Sequence, residues 1–172
     1  MRPAFDAARA ARAHTGLMRR AVADLKFRGG TGTAAILSTL MAREIEQDEH
    51  YAGLDLIVPV PVHYSRLRDR PYNQALLLAQ ALGRRLDLPV SSRLLRKVRP
   101  TPPQVGLSRA KRLLNVKGAF AVTAKGQAKI DGKAVLLVDD VMTTGATAHE
   151  CAKALRMAGA HRVVVLTAAR AI

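Results

Sequence analysis

Residues 134–147, Ala134-Val135-Leu136-Leu137-Val138-Asp139-Asp140-Val141-Met142-Thr143-Thr144-Gly145-Ala146-Thr147, constrain the fold more than any other stretch of the chain. The run from Ala134 to Val138 is apolar with no polar alternation and ends in a β-branched residue, which predicts a short strand covered on both faces. Such a strand belongs in the middle of a sheet. Two adjacent carboxylates then close the run. Because interiors exclude unpaired charge, Asp139 and Asp140 are expected at the strand's carboxyl end, outside the core and facing a crevice.

A Thr/Gly loop follows, after which Ala148, Cys151, Leu155 and Ala158 recur at helical spacing until Gly159 supplies a stop. The loop thus lies between a strand end and a helix start. There it offers backbone N–H groups, threonine hydroxyls and the positive end of a helix dipole to one small anion, and Gly145 lets the backbone close around it. Phosphate suits the loop, and the carboxylate pair suits a vicinal diol, so a ribose 5-phosphate satisfies both halves. Two other readings exist: an acid-capped strand and N-capped helix of a generic α/β domain, or the acidic strand of a nucleotide hydrolase. The absence of any G-x-x-x-x-G-K-[ST] from the chain removes the hydrolase.

At 172 residues the chain reads as one domain, long enough to bury about 70% of the surface its unfolded form exposes, so it needs no covalent staple. The single cysteine, Cys151, excludes internal disulfides and zinc ribbons, and its place on an inward helical stripe makes it a core residue. A cytoplasmic protein is expected. No stretch approaches the length of a membrane span, and the opening segment is rich in Arg and Ala without the hydrophobic core of a signal peptide. The 28 basic and 13 acidic residues give a net charge of +15, which attracts phosphates, nucleic acid or an anionic surface. Between Ser92 and Lys117 stand eight basic residues and no acid, although an Arg-rich composition alone accounts for many such positions.

Residues 1–14 show no periodic core face and read as a frayed helix or an edge segment. Helices are expected at 16–27, with Met18, Ala21, Val22 and Leu25 inward, and at 33–47, with Leu37, Leu40, Met41 and Ile45 inward. Lys26-Phe27-Arg28-Gly29 forms a basic turn between them. Leu54 to Pro61 reads as a second buried strand cut off by prolines. The loop at 62–72 holds His63, Arg66 and Arg70, and leads into a helix with Ala75, Leu78, Ala79, Leu82 and Leu86 inward. If the two strands are parallel neighbours, that charge faces the same crevice as the acids. After a short extended piece at 88–90, a basic, proline-broken loop reaches a helix capped by Ser108. Residues 119–122 read as a strand, 124–132 as a polar connector and 162–167 as the strand that closes the sheet. The fold class is α/β, a mostly parallel central sheet with helices on both faces.

Val135 to Thr147 resembles the 5-phosphoribosyl-1-pyrophosphate (PRPP) motif of the type I phosphoribosyltransferases: four hydrophobic residues, two acids, two variable residues, then Thr-Thr-Gly-x-Thr. The resemblance implies that Asp139 and Asp140 hold the ribose hydroxyls, in part through Mg²⁺, as the catalytic and metal-binding acids. It also implies that Thr143, Thr144, Gly145, Ala146 and Thr147 cradle the 5′-phosphate. Lys26-Phe27-Arg28-Gly29, Val58-Pro59-Val60-Pro61, Arg70-Pro71-Tyr72-Asn73-Gln74 and Thr101-Pro102-Pro103-Gln104, with Leu107, Arg112 and Asn115, extend the likeness to the ComF (ComFC/GntX) family over nearly the whole chain. That family is phosphoribosyltransferase-like and linked to natural competence, which implies single-stranded DNA or competence proteins as further partners.

Two departures stand out. The four-cysteine zinc ribbon with which members usually begin is missing, so either the start codon is placed too late or this member does without the metal. The usual Arg-Gly-Phe-Asn-Gln also appears with Pro71 in place of glycine. The architecture implied is one domain over 1–172, a small N-terminal helical or hood portion at 1–50 and a PRPP-binding core at 54–172. The activity implied is transfer of phosphoribosyl from PRPP to an unidentified acceptor. His63, Arg66, Arg70 and Lys26 would face the pyrophosphate, and Arg109 and Arg112 would sit on a closing loop. A non-catalytic module that holds PRPP or another ribose phosphate is the alternative, and a basic DNA-associated competence factor is the third. Aromatics at 3% with no Trp argue against stacking platforms for single strands.

Overall fold

A computed structural model of the chain describes residues 2–28, 30–64, 72–102 and 108–171, with Arg109 described through its backbone alone. Its centre is a four-stranded parallel sheet in the order β1 (Ala7–Ala13), β6 (Arg162–Arg170), β5 (Ala134–Met142), β2 (Leu56–Pro59). The apolar run forms the interior strand expected of it. Residues 134–138 of β5 are fully buried, with Leu136 opposite Val164 and Val138 opposite Leu166 on β6. Strand alternation sends these side chains to two cores. Leu136 and Val138 pack on one face with Leu25 of α1 (Gly16–Arg28), Leu37 and Met41 of α2 (Thr31–Ile45), and Leu78 and Leu82 of α3 (Gln74–Leu86). Val135 and Leu137 pack on the other with Val116 of α4 (Arg109–Val116) and with Cys151 and Leu155 of α6 (Ala146–Met157).

Three segments differ from the sequence reading, and one is decided between its two alternatives. Of the two readings of residues 1–14, the edge segment holds: residues 7–13 form β1, an edge strand paired in register with β6 from Ala7↔Val164 to Ala13↔Arg170. The N-terminal portion is therefore not all helical. Arg9 and Arg12 mark β1 as a guarded edge, salt-bridged to Asp48 and Glu44. Phe120–Val122 forms β4 outside the central sheet, antiparallel to β3 (Leu95–Lys97), so that a short segment of the basic stretch is itself a strand. The connector at 124–132 contains α5 (Ala124–Ile130), capped by the Thr123 hydroxyl and anchored by the buried Ile130. Finally, β5 does not stop at the acids but runs on to Met142.

The remaining elements follow their residues. Asn73 caps α3 through its side chain, accepting from the Ala75 N–H, and Ser108 caps α4. Pro59 is tolerated in β2 because that strand has one ladder neighbour in the central sheet, and the extended piece at 88–90 covers its outer side through an Ile57↔Val90 bridge. Among the described residues no helix is long and apolar enough to cross a membrane.

Candidate active site

The site begins where β5 outlasts its neighbour. β2 ends at Pro59, and its last contact with β5 is the Val60 N–H donating to the Val138 carbonyl at 2.8 Å. Past that point, acid side chains take over the freed backbone. Asp139 accepts from the Asp140 N–H at 2.9 Å, and Asp140 accepts from the Val141 N–H at 2.6 Å. The strand continues through them in regular register, so the two side chains leave the backbone on alternate sides, yet beyond the end of β2 their carboxyl groups stay close enough to interact and face the same cavity. Asp139 projects toward the α6 side, and burial, then the Asp140 charge, push its carboxyl well above the usual carboxylate range. Asp140 projects toward the α1 side, where Lys26 Nζ lies 3.0 Å from its Oδ2. The expectation that both acids stand outside the core is corrected at Asp140, which is almost fully buried.

The loop after β5 has the strand-to-helix geometry that an anion site needs. Gly145 adopts φ +77°, a left-handed conformation that favours glycine, and directly precedes the first turn of α6. Its carbonyl accepts from the His149 N–H at 2.8 Å, which starts the helical ladder. The Thr144 hydroxyl accepts weakly from the Ala146 N–H at 3.4 Å, while Thr143 is exposed. Behind the loop a hollow of about 20 Å³, lined by Asp139, Gly145, Thr147 and Thr167 among others, has room for one water-sized group. The expected core role of Cys151 holds: it is fully buried beneath this loop, and desolvation raises its thiol well above the usual range.

A cavity of about 400 Å³ opens in front of the acids. Asp139, Asp140, Thr143 and Thr147 form its floor, and Lys26, His63 and Arg112 reach it from α1, from the segment after β2 and from α4. Thr144, Gly145 and Ala146 form the back of the loop rather than the cavity wall. Of the polar lining residues, His14 carries no signal in the sequence, while Lys97 stands in the basic run and Thr101 in the Thr101-Pro102-Pro103-Gln104 motif. Lys97 Nζ donates to the Thr101 hydroxyl at 2.7 Å and stands 5.7 Å from the centre of the Phe120 ring, so the β3–β4 ribbon forms a wall of the site. The signal for these residues was weak, since Lys97 was one charge in a basic run. Arg66, Arg70 and the side chain of Arg109 lie outside the described residues.

Mg²⁺ that arrives with a phosphorylated substrate needs only one or two protein carboxylates, which Asp139 and Asp140 would supply at the cavity floor. Among the described residues no three His, Cys, Asp or Glu side chains gather at one point. The two acids expected to hold Mg²⁺ stand beside each other, and Asp140 already faces the Lys26 ammonium. A larger surface concavity of about 700 Å³ lies around Arg9, Glu44, Asp48 and His50, where Arg9 and Asp48 are paired with each other.

A parallel sheet with an acid pair and a threonine loop at the carboxyl end of an interior strand defines a class of sugar-phosphate-binding fold, and comparison with known families agrees. Residues 71–171 match the phosphoribosyl transferase domain, and the chain belongs to that family. It is 39% identical over 139 residues to Competence protein F of Haemophilus influenzae, covering 81% of this chain and 60% of that protein. It is 36% identical over 144 residues to DNA utilization protein YhgH of Escherichia coli K12, covering 82% and 62%. The resemblance to ComF proteins is thus borne out, and the chain spans about 60% of the length of these relatives. Among solved structures, the glutamine PRPP amidotransferase of B. subtilis, complexed with ADP and GMP, superposes with a TM-score of 0.51 at 20% identity. The match covers 78% of this chain and 26% of that one. It supports the type I phosphoribosyltransferase fold.

Proposed function

We propose that the cavity binds PRPP and that the chain transfers its phosphoribosyl group to an acceptor. One observation carries the reading: a carboxylate pair, a threonine loop at a helix start and a set of cationic side chains converge on one cavity of about 400 Å³. In this reading Asp139 and Asp140 accept hydrogen bonds from the ribose hydroxyls. The 5′-phosphate rests at the mouth of the 143–147 loop, because the hollow behind it holds no more than a water-sized group. His63, Lys97 and Arg112 face the pyrophosphate, with Arg66, Arg70 and Arg109 as further candidates on adjoining segments.

As the bond from the ribose anomeric carbon to the pyrophosphate oxygen breaks, positive charge grows on the sugar and negative charge on the leaving group. Carboxylates near the one and cations near the other stabilise that separation in a partly dehydrated site. Mg²⁺ belongs to the substrate in this account, carried on pyrophosphate oxygens with most of its waters retained. We place the protein in the cytoplasm on the strength of its lone, buried thiol.

The test is incubation of the protein with PRPP, Mg²⁺ and a panel of nucleobases while pyrophosphate release is followed, paired with calorimetry of PRPP. Binding with turnover is expected. Tight binding without turnover on any acceptor would favour the binding-module reading. The names of the relatives, together with the net charge of +15, favour a second role beside single-stranded DNA or competence proteins.

A further inference from the structure

A second cavity, of about 510 Å³, opens against Met142 to Gly145 and has no part in the reading above. It shares Thr143 alone with the 400 Å³ cavity, and consecutive residues of α4 divide between the two, Arg112 lining the first and Leu113 the second. Its walls are apolar and set by core packing. Phe5, Ala8 and Leu113 are partly buried against the core on the α6 side, and Met142 is buried. Phe5 is fixed through both of its neighbours: the Ala4 N–H donates to His149 Nδ1 at 3.0 Å, and the Asp6 N–H donates to the Val163 carbonyl at 2.8 Å. The Phe5 ring and the Met142 thioether meet at one point of the loop, standing 3.9 and 3.8 Å from where a Gly145 Cβ would be. A ring beside a thioether is a surface that receives another aromatic ring well.

The polar groups of this cavity are donors in want of an acceptor. Arg170, at the end of β6, is exposed, and no described residue pairs with its guanidinium or hydrogen-bonds to it. Accepting at Nδ1 leaves the His149 ring proton on Nε2, and Glu150 Oε1 stands 3.9 Å from that nitrogen, beyond hydrogen-bond length. Thr143 adds an exposed hydroxyl from the loop. No acid is among the described residues that line the cavity. The volume is that of a small-molecule site, and an apolar slot with one guanidinium in its lining selects an aromatic body that carries a negative charge. We propose that this cavity is a second ligand site, which takes a small aromatic acid and leaves the 400 Å³ cavity open. Arg170 pairs with the carboxylate, and Phe5, Leu113 and Met142 enclose the ring.

The probe is 2-naphthoate, and the methionine methyl groups of the full chain report where it binds, since of the five methionines Met142 alone lines this cavity. Titration into wild type labelled with ¹³C-methyl methionine is expected to move the Met142 signal and to leave those of Met18, Met41 and Met157 in place. Calorimetry is expected to show 2-naphthoate binding about tenfold or more tightly than its neutral counterpart 2-naphthylmethanol, the range for a charge-assisted hydrogen bond. Arg170→Met, at an exposed position, should erase that preference and leave ribose 5-phosphate affinity unchanged. In saturating ribose 5-phosphate, 2-naphthoate should still bind, because separate cavities hold the two. A Met142 signal that does not move, or equal affinities for the acid and the alcohol, overturns the inference without requiring any variant to fold. An Arg170→Met chain that keeps the preference also overturns it, by placing the acid on the basic surface at large. Loss of 2-naphthoate binding in saturating ribose 5-phosphate overturns it as well and leaves the ribose-phosphate reading standing, since the two ligands would then share one site.

Discussion

At the scale of single residues, the neighbouring acids are not equivalent, and their environments predict different consequences of substitution. The Asp139 carboxyl titrates above its ordinary range because burial and the Asp140 charge disfavour its ionised form. Between the ordinary value and the raised one, the folded chain keeps a proton that the unfolded chain has released, so stability falls as pH rises through that window. Asp139→Asn removes the titration. Its melting temperature should vary less with pH than that of wild type and should be no lower near neutrality, while PRPP affinity drops. Melts across mildly acidic to neutral buffers check this, and an unchanged pH slope would mean that Asp139 behaves as an ordinary solvated acid. Asp140→Asn, by contrast, strips Lys26 of its counter-charge and should lower stability at neutral pH. Gly145 offers a second residue-level test. A Cβ there would meet Met142 Sδ at 3.8 Å and Phe5 Cζ at 3.9 Å, which is ordinary contact, so the obstacle is the φ of +77° rather than space. Gly145→Val should cost about 1–2 kcal/mol through that conformation and abolish ribose 5-phosphate binding. Normal binding by this variant would remove the loop from the site.

At the scale of elements, the site depends on how α4 and the β3–β4 ribbon are fastened to α6. Glu150 on α6 is buried and accepts from the Gly118 N–H at 2.8 Å, in the turn that joins α4 to β4. Glu150→Ala leaves that amide without its acceptor and should destabilise the chain by about 1–3 kcal/mol. It should also weaken pyrophosphate binding more than ribose 5-phosphate binding, because Arg112 and Phe120 lie on the elements it anchors. Chemical denaturation and calorimetry with the two ligands separate those effects. The sequence made the strand, loop and helix at 134–157 legible because every signal there is local: an apolar run, adjacent acids, a glycine turn and a 3.6-residue stripe. It left β1 open between a helix and an edge segment, since Ala and Arg have little strand preference and the segment is a strand only because β6 gives it a ladder. It concealed α5 because Ala124 to Ile130 has no helical stripe, and Thr123 and one anchoring isoleucine suffice. The placing of Asp139 and Asp140 within a strand, rather than at its end, could be read only once β5 is known to run on to Met142. The meeting of Lys26 with Asp140 joins distant parts of the chain and left no local trace.

At the scale of the whole molecule, the charge of +15 acts on any polyanion, and the question is whether it acts through phosphates or bases. Stacking surfaces are few: the chain has no Trp, and the aromatics most open among the described residues are Phe27 and Tyr64, at 68% and 75% exposure. A single strand bound by this protein should therefore be held by its backbone. Affinity for oligothymidylate should fall steeply with salt, by about 0.7 in log units per phosphate contacted for each tenfold rise, and should differ little between oligothymidylate and oligoadenylate. Ribose 5-phosphate, with one phosphate, should show a far shallower dependence in the same buffers. If the single strand binds in the 400 Å³ cavity, saturating PRPP should displace it; if it binds elsewhere on the basic surface, both ligands should bind together. A slope as shallow for the oligonucleotide as for the sugar phosphate would reduce its contacts to about one, leaving the net charge without a nucleic-acid role and the cavity as the seat of function.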